Sequence, residues 1–369
     1  MISRRNVLAT IGAGGSVVLS GCGLVSSTGD DGTSATRTIT DGVGRSVEIP
    51  ESIDRLVAVG PGSLRQVAYL GATDRVVGVE DAENGWAKRV PYNLANPEIR
   101  DRPVVGAAGP NAGGNSEAIV AQDPDVIFFY GDPSRARSLQ RQTETPVVAL
   151  EIVDFVTPEA RETMYDTWRL LGRILGEHDR AERLVEYVRE TIGDLEGRVE
   201  DVPDGDRPDA YVGAINYKGA HGIATTRNPF PPFQFLDVKN VATGVETDAA
   251  SVQVSRERLL TWNPSTVFVS ASNLERVRED VRKHSSYGRI EAFQRDAVYS
   301  ILPHASYHHN YGSILANAYF VGDVLYPDRF DDVTLQATVD DLFENLLGEP
   351  LYDQLTSAYD AYEPLDFSG

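Results

Sequence analysis

Cysteine is nearly absent: Cys22 is the only one in 369 residues. A lone thiol forms no disulfide within the chain and no cysteine-based metal cluster. Positive charge is also scarce. Lysine and arginine number 34 against 55 aspartates and glutamates, giving a formal net charge of −21. Such a surface repels phosphate backbones and anionic bilayers, which argues against nucleic acid as a partner and against free binding to anionic membranes. The apolar run from Val7 to Leu19 is too short for a comfortable membrane-spanning helix. Catalytic signatures are missing as well. There is no His-Glu-x-x-His, no Gly-x-Ser-x-Gly, and no glycine loop ending in Lys-Ser/Thr. The composition, 41% hydrophobic, still allows cores of ordinary size and two domains.

What is present begins with an address. Ser3-Arg4-Arg5-Asn6-Val7-Leu8 resembles a twin-arginine export signal, and Leu19-Ser20-Gly21-Cys22 resembles a lipobox. Residues 1–22 therefore read as a signal, with lipid expected on Cys22. Residues 23–36, rich in Gly, Ser, Thr and Asp, read as a flexible tether. The folded part is expected on the extracellular face of the cell membrane, lipid-anchored and exported folded. Little lysine with abundant acid resembles a protein from a high-salt organism, haloarchaeal in type.

The remaining chain falls into two similar halves. Residues 37–156 alternate strands with helices after an opening hairpin, Thr38 to Pro50. Such alternation predicts a mostly parallel sheet covered by helices, with ligands beyond the carboxyl ends of the strands. The loops there are Gly60–Ser63, Glu80–Trp86, Ala107–Asn115 and Tyr130–Pro133. Residues 157–178 form a linking helix. Thr157 caps it, Pro158 opens it, Met164, Trp168, Leu171 and Leu175 recur at helical spacing, and Gly176 closes it. Residues 179–369 form the second half, whose first helix starts at Asp179 with Glu182 in a capping-box pattern. The unit Asp123-Pro124-Asp125 followed by a buried strand recurs as Asn263-Pro264-Ser265, which supports two α/β lobes of similar plan.

Candidate binding residues follow from loop position and chemistry. Three of the six histidines lie in Pro303-His304-Ala305-Ser306-Tyr307-His308-His309-Asn310, between a strand and a helix. Imidazole and phenol suit borderline cations and ferric iron, so His308, His309 and Tyr307 are the candidate metal ligands. Adjacent histidines seldom bind one ion, so one of the pair is expected to face the cleft. Tyrosine and asparagine equally hydrogen-bond an oxyanion, and a helix starting near Tyr311 offers free N–H groups to an anion. The binding set is Pro61, Trp86, Asn111, Asn115 and Tyr130 from the first lobe. From the second it is Tyr217, Lys218, His221, Arg227, His304, Tyr307, His308, His309 and Asn310. Arg227 suits a carboxylate or oxyanion held by two hydrogen bonds.

A family resemblance sharpens this reading. Thr40-Asp41, Gly44 to Pro50, Arg55 to Val59, Leu70-Gly71-Ala72 and Asp74 to Val79 stand in an order similar to the opening of the iron-siderophore/cobalamin class of ABC-transporter substrate-binding proteins. Val104-Val105-Gly106 and Glu117 to Ile127 continue it. The resemblance implies the class III periplasmic-binding-protein fold, with two Rossmann-like lobes joined by one long rigid helix. It implies a monomer without catalytic activity or catalytic cofactor, which captures an iron(III) chelate and passes it to an ABC permease and its ATPase. Cobalamin is an alternative ligand. The ending, Asn310-Tyr311 through Leu325-Tyr326-Pro327 and Gly348 to Asp353, is similar to a branch that includes molybdate and tungstate binders, so an oxyanion stays open. Permease docking implies exposed acids, for which Glu80 and Glu246 are candidates. A metal-dependent extracellular enzyme using His304, His308 or His309 is the alternative from another class.

Overall fold

The computed structural model describes residues 35–109, 113–215, 222–245 and 251–367. The chain opens with an antiparallel hairpin, β1 (Thr36–Thr40) and β2 (Ser46–Pro50), in which Thr38 faces Glu48. Asp41 organises its turn: Oδ1 accepts from the backbone N–H groups of Val43 and Arg45 at 3.1 and 2.8 Å. Five strands follow: β3 (Leu56–Val59), β4 (Val76–Glu80), β5 (Val104–Gly106), β6 (Val126–Phe129) and β7 (Val147–Ala149). They make one parallel sheet in the order β5-β4-β3-β6-β7. Every residue of β3 and β6 is buried, as strands covered on both faces require. The order reverses between β3 and β6, so the loops after these strands diverge and open a crevice.

The second lobe repeats the plan around β8 (Asp209–Gly213), β9 (Thr225–Thr226), β10 (Lys239–Asn240), β11 (Val252–Gln253), β12 (Val267–Ser270) and β13 (Val298–Ile301). Its parallel sheet runs β10-β8-β12-β13, and β9 pairs with β11 in a small antiparallel ladder. Between the two sheets the chain passes through the helix Pro158–Leu175. Thr157 Oγ1 accepts from Ala160 N at 3.2 Å, and Gly176 ends the helix at a φ of 73°. Trp168 is fully buried and donates from Nε1 to Gln66 Oε1 at 2.8 Å. Its ring meets Tyr69 of the first lobe and Tyr311 of the second, so one aromatic core runs through linker and both lobes. The next helix corrects the capping-box expectation. It spans His178–Val199, with Glu177 at the cap position and no side-chain cap bond. Glu177 is drawn instead to Arg75 at 2.6 Å, and Glu182 reaches back to Arg169 of the linking helix at 3.0 Å. No helix among the described residues is long and apolar enough to cross a membrane.

Candidate functional site

The carboxyl ends of both sheets meet at the loop after β13. That loop folds on itself: Ala305 bridges to His309, Ser306 N donates to His308 O at 3.0 Å, and Asn310 N donates to His304 O at 2.9 Å. Two consecutive residues, Tyr307 and His308, take positive φ values of 51° and 80°. Such backbone is uncommon outside glycine and persists where surroundings over-determine it. Here the surroundings belong to the other lobe. Arg65, on the first-lobe helix Ser63–Tyr69, donates to Ser306 O at 2.7 Å, to His309 O at 2.6 Å and to Tyr307 O at 3.3 Å. Gly62, at a φ of 81°, lies so close that a Cβ there would stand 2.9 Å from His308 Cβ.

The turn sends successive side chains to different partners. The Tyr307 hydroxyl donates to Glu80 Oε2 at 2.6 Å and accepts from Gly109 N at 3.1 Å. His308 Nε2 lies 3.0 Å from the Tyr130 hydroxyl, and its ring stands edge-on to that phenol. His309 packs at right angles to His308, with ring centroids 4.5 Å apart. His304 lies against Phe230. Arg227 follows β9, pairs with Asp154 from the segment before the linking helix, and donates from Nε to Pro229 O at 3.1 Å.

Burial sets the electrostatics. Loss of water pushes His304 and His308 down to about 3, and the Arg227 guanidinium adds to the effect on both. His309 is pushed well below the ordinary range by burial and by the charges of His308, Arg227, His304 and Arg65. Desolvation raises Glu80 to about 7. Tyr307 is held firmly protonated by burial and by the neighbouring Glu80 carboxyl. Several buried polar atoms of the seam have no hydrogen-bond partner: Arg227 Nη1, His304 Nε2, His308 Nδ1, His309 Nδ1, Asn310 Oδ1 and Glu80 Oε1. Buried polar atoms are ordinarily satisfied, so a cluster of unsatisfied ones marks a place built for something else. The four nitrogens belong to side chains that are cationic or can become so; the two oxygens do not.

Of the sequence-predicted set, the structure brings together Tyr130, Arg227, His304, Tyr307, His308, His309 and Asn310. Pro61 sits half-buried in the glycine turn beside them. Trp86 is 55% exposed and touches the cluster's rim through an edge contact with Tyr307. Asn115 needs correction: it is exposed, and its Oδ1 is spent capping the helix Ser116–Val120 by accepting from Ala118 N. The grouping of Tyr307, His308 and His309 around one ion is also corrected. The phenol is committed to Glu80, and no trio of His, Cys, Asp or Glu among the described residues is placed to hold a metal. His308 and His309 are both half-buried in the seam, with their unbonded ring nitrogens shielded from solvent. Glu80 is 3% exposed at the seam, so it is no surface docking acid. Cys22, Asn111, Tyr217, Lys218, His221 and Glu246 lie outside the described residues. Arg65 escaped the sequence reading, as nothing local distinguishes it from an ordinary helical arginine.

The comparisons agree with this architecture. A family model described as "Periplasmic binding protein" matches residues 56–305. The molybdate-binding protein MolA of Haemophilus influenzae is 26% identical over 332 residues, covering 84% of this chain and 90% of that protein. Its structure bound to molybdate superposes with a TM-score of 0.67 at 23% identity, covering 85% of this chain and 98% of that one. A periplasmic solute-binding protein from Veillonella parvula gives a TM-score of 0.70 at 18% identity, covering 88% and 97%. The substrate-binding lipoprotein YvrC of Bacillus subtilis is 18% identical over 80% of this chain and 87% of its own length. With two parallel-sheet lobes, a long joining helix and a polar seam between the strand ends, this chain belongs to the periplasmic binding protein family, in its class III branch.

Proposed function

We propose that the protein is the substrate-binding component of an ABC importer and that its solute is a tetrahedral oxyanion of the molybdate–tungstate kind. The observation that carries this is the set of unpartnered nitrogens on Arg227, His304, His308 and His309, gathered in one buried seam. Each imidazole can present an N–H, and with Nε2 of His308 taking the Tyr130 proton, its Nδ1 becomes the donor. Hydrogen-bond donors converging on one place suit an anion. The helix Tyr311–Leu325 adds the positive end of its dipole beside this loop, and its cap residue Asn310 makes no side-chain cap bond. The molybdate named for the Haemophilus influenzae relative supports the same chemistry. In this reading recognition is the whole task. Lipid on Cys22 holds the protein at the outer membrane face, and a permease with its ATPase receives the solute.

The test is calorimetric titration of the purified protein with molybdate, tungstate, sulfate and phosphate, beside ferric siderophores and cobalamin. One site per chain for molybdate or tungstate is expected, with a thermal shift that grows with ligand concentration. At 100 times the dissociation constant the stabilisation is about 2.7 kcal/mol. Binding of a ferric chelate or cobalamin with no response to either oxyanion would return the solute to the iron-chelate class and leave the transport role intact. Turnover of a substrate by a tightly bound metal would point to the enzyme alternative.

A further inference from the structure

We infer that Arg65 sets the charge specificity of this site, making it select a dianion over a monoanion of the same shape; this rests on the oxyanion reading above. Arg227, the other guanidinium in the cluster, is offset by its ion pair with Asp154. Arg65 has no such ion pair. It is 1% exposed, and no carboxylate among the described residues lies within ion-pair distance of it. Its contacts are neutral: the carbonyl oxygens of Ser306, Tyr307 and His309, and the face of the Tyr92 ring at 5.1 Å. Nε is buried without a partner. A buried, unpaired charge is costly to keep, and the three carbonyls relieve only part of that cost.

The field of this charge falls on the place where the unpartnered nitrogens gather. Burial chiefly disfavours protonation of His308 and His309, and the charge of Arg65 adds to it at both. A positive charge that opposes a proton there favours an anion there. Glu83, an acid of its own lobe, is tied to the Tyr92 hydroxyl at 2.8 Å and to Asn93 Nδ2 at 2.7 Å; burial raises its carboxyl, while those hydrogen bonds and the charge of Arg65 act against the rise. The first lobe therefore brings a guanidinium charge to the loop of the second lobe, through a group that also fixes that loop's backbone. A monoanion and a dianion of equal size make the same hydrogen bonds. They differ in what they gain from this charge.

Tungstate and perrhenate give that comparison, being tetrahedral oxyanions of like size carrying two charges and one. The experiment measures both dissociation constants for the unaltered protein and for Arg65→Lys, Arg65→Met and Arg65→Gln, each checked for folding by thermal melting. Tungstate is expected to bind the unaltered protein more tightly than perrhenate. In whichever of R65M and R65Q folds, that preference is expected to fall about tenfold or more. R65K keeps the charge but loses the planar fork, so it is expected to weaken both anions and hold their ratio within threefold. A ratio unchanged in a folded neutral variant would overturn the inference and leave Arg65 a positioning residue for the loop. A ratio that collapses equally in R65K would also overturn it. Failure of the unaltered protein to bind tungstate at all would instead refute the oxyanion reading, before any variant is made.

Discussion

At the residue scale the site is a set of histidines kept neutral by burial. His304 and His308 titrate at about 3 in the folded chain against an ordinary 6.5. Unfolding therefore takes up protons between those values, so stability is full above pH 6.5 and falls as pH drops toward 3. The loss between pH 6.5 and 5 is about 2 kcal/mol per histidine. A dianion in the seam reverses the preference, because a protonated imidazole then meets an opposite charge. Two measurements follow from one cause. The ligand-free protein is expected to lose thermal stability from pH 6.5 to 5, with a shallower slope in His304→Gln. Tungstate affinity is expected to rise over the same interval, with proton uptake visible as buffer-dependent heats. An affinity independent of pH would show that the imidazoles stay neutral in the complex.

At the element scale the loop after β13 depends on a turn from the other lobe. Gly62 holds a φ of 81°, and a Cβ there would meet His308 at 2.9 Å with the neighbouring His308 Cγ at 3.5 Å. Gly62→Ala imposes both backbone strain and a crowded contact on a loop already fixed by Arg65. The expected cost is about 1–3 kcal/mol of stability, read from the denaturant midpoint, together with weaker oxyanion binding. Gly71→Ala serves as the control. It also sits at positive φ, 70°, but faces open space, so it is expected to cost stability without touching affinity. What the sequence discloses at this scale has a physical pattern. The linking helix is legible from its cap, its apolar spacing and its terminal glycine, all local signals. The histidine loop is legible because three ligand-type side chains between a strand and a helix are rare. Arg65 is not legible, because its partners stand 241 to 244 residues away and its own neighbours spell an ordinary buried helix. The capping box misled for a related reason. Glu182 is spent on Arg169 in a helix–helix contact that local spacing does not encode.

At the scale of the whole molecule, the two lobes are joined by one aromatic core and by a polar seam, and the seam carries its own pH dependence. The Tyr307 hydroxyl donates across it to Glu80, whose other oxygen is buried without a partner. Burial lifts this carboxyl to about 7 from an ordinary 4.5. The folded protein therefore holds that proton more tightly than the unfolded chain does. The associated stability is complete below pH 4.5 and is lost as pH rises through 7, about 3 kcal/mol in all. Its sign is opposite to that of the histidines, so the two effects partly cancel between pH 4.5 and 6.5 and the carboxyl dominates above. Glu80→Gln keeps an acceptor for Tyr307 and for Gly60 N, which donates to the same oxygen at 3.2 Å, while removing the titration. This variant is expected to melt at nearly the same temperature at pH 6.5 and 8.5, where the unaltered protein loses stability with rising pH. Tyr307→Phe separates the seam from the titration: it removes the cross-lobe bond, leaves Glu80 accepting only from Gly60, and is expected to steepen the pH dependence above 7. Equal slopes in the unaltered protein and in E80Q would show that Glu80 is already ionised in the folded seam, with the Tyr307 hydroxyl as the donor that holds it so.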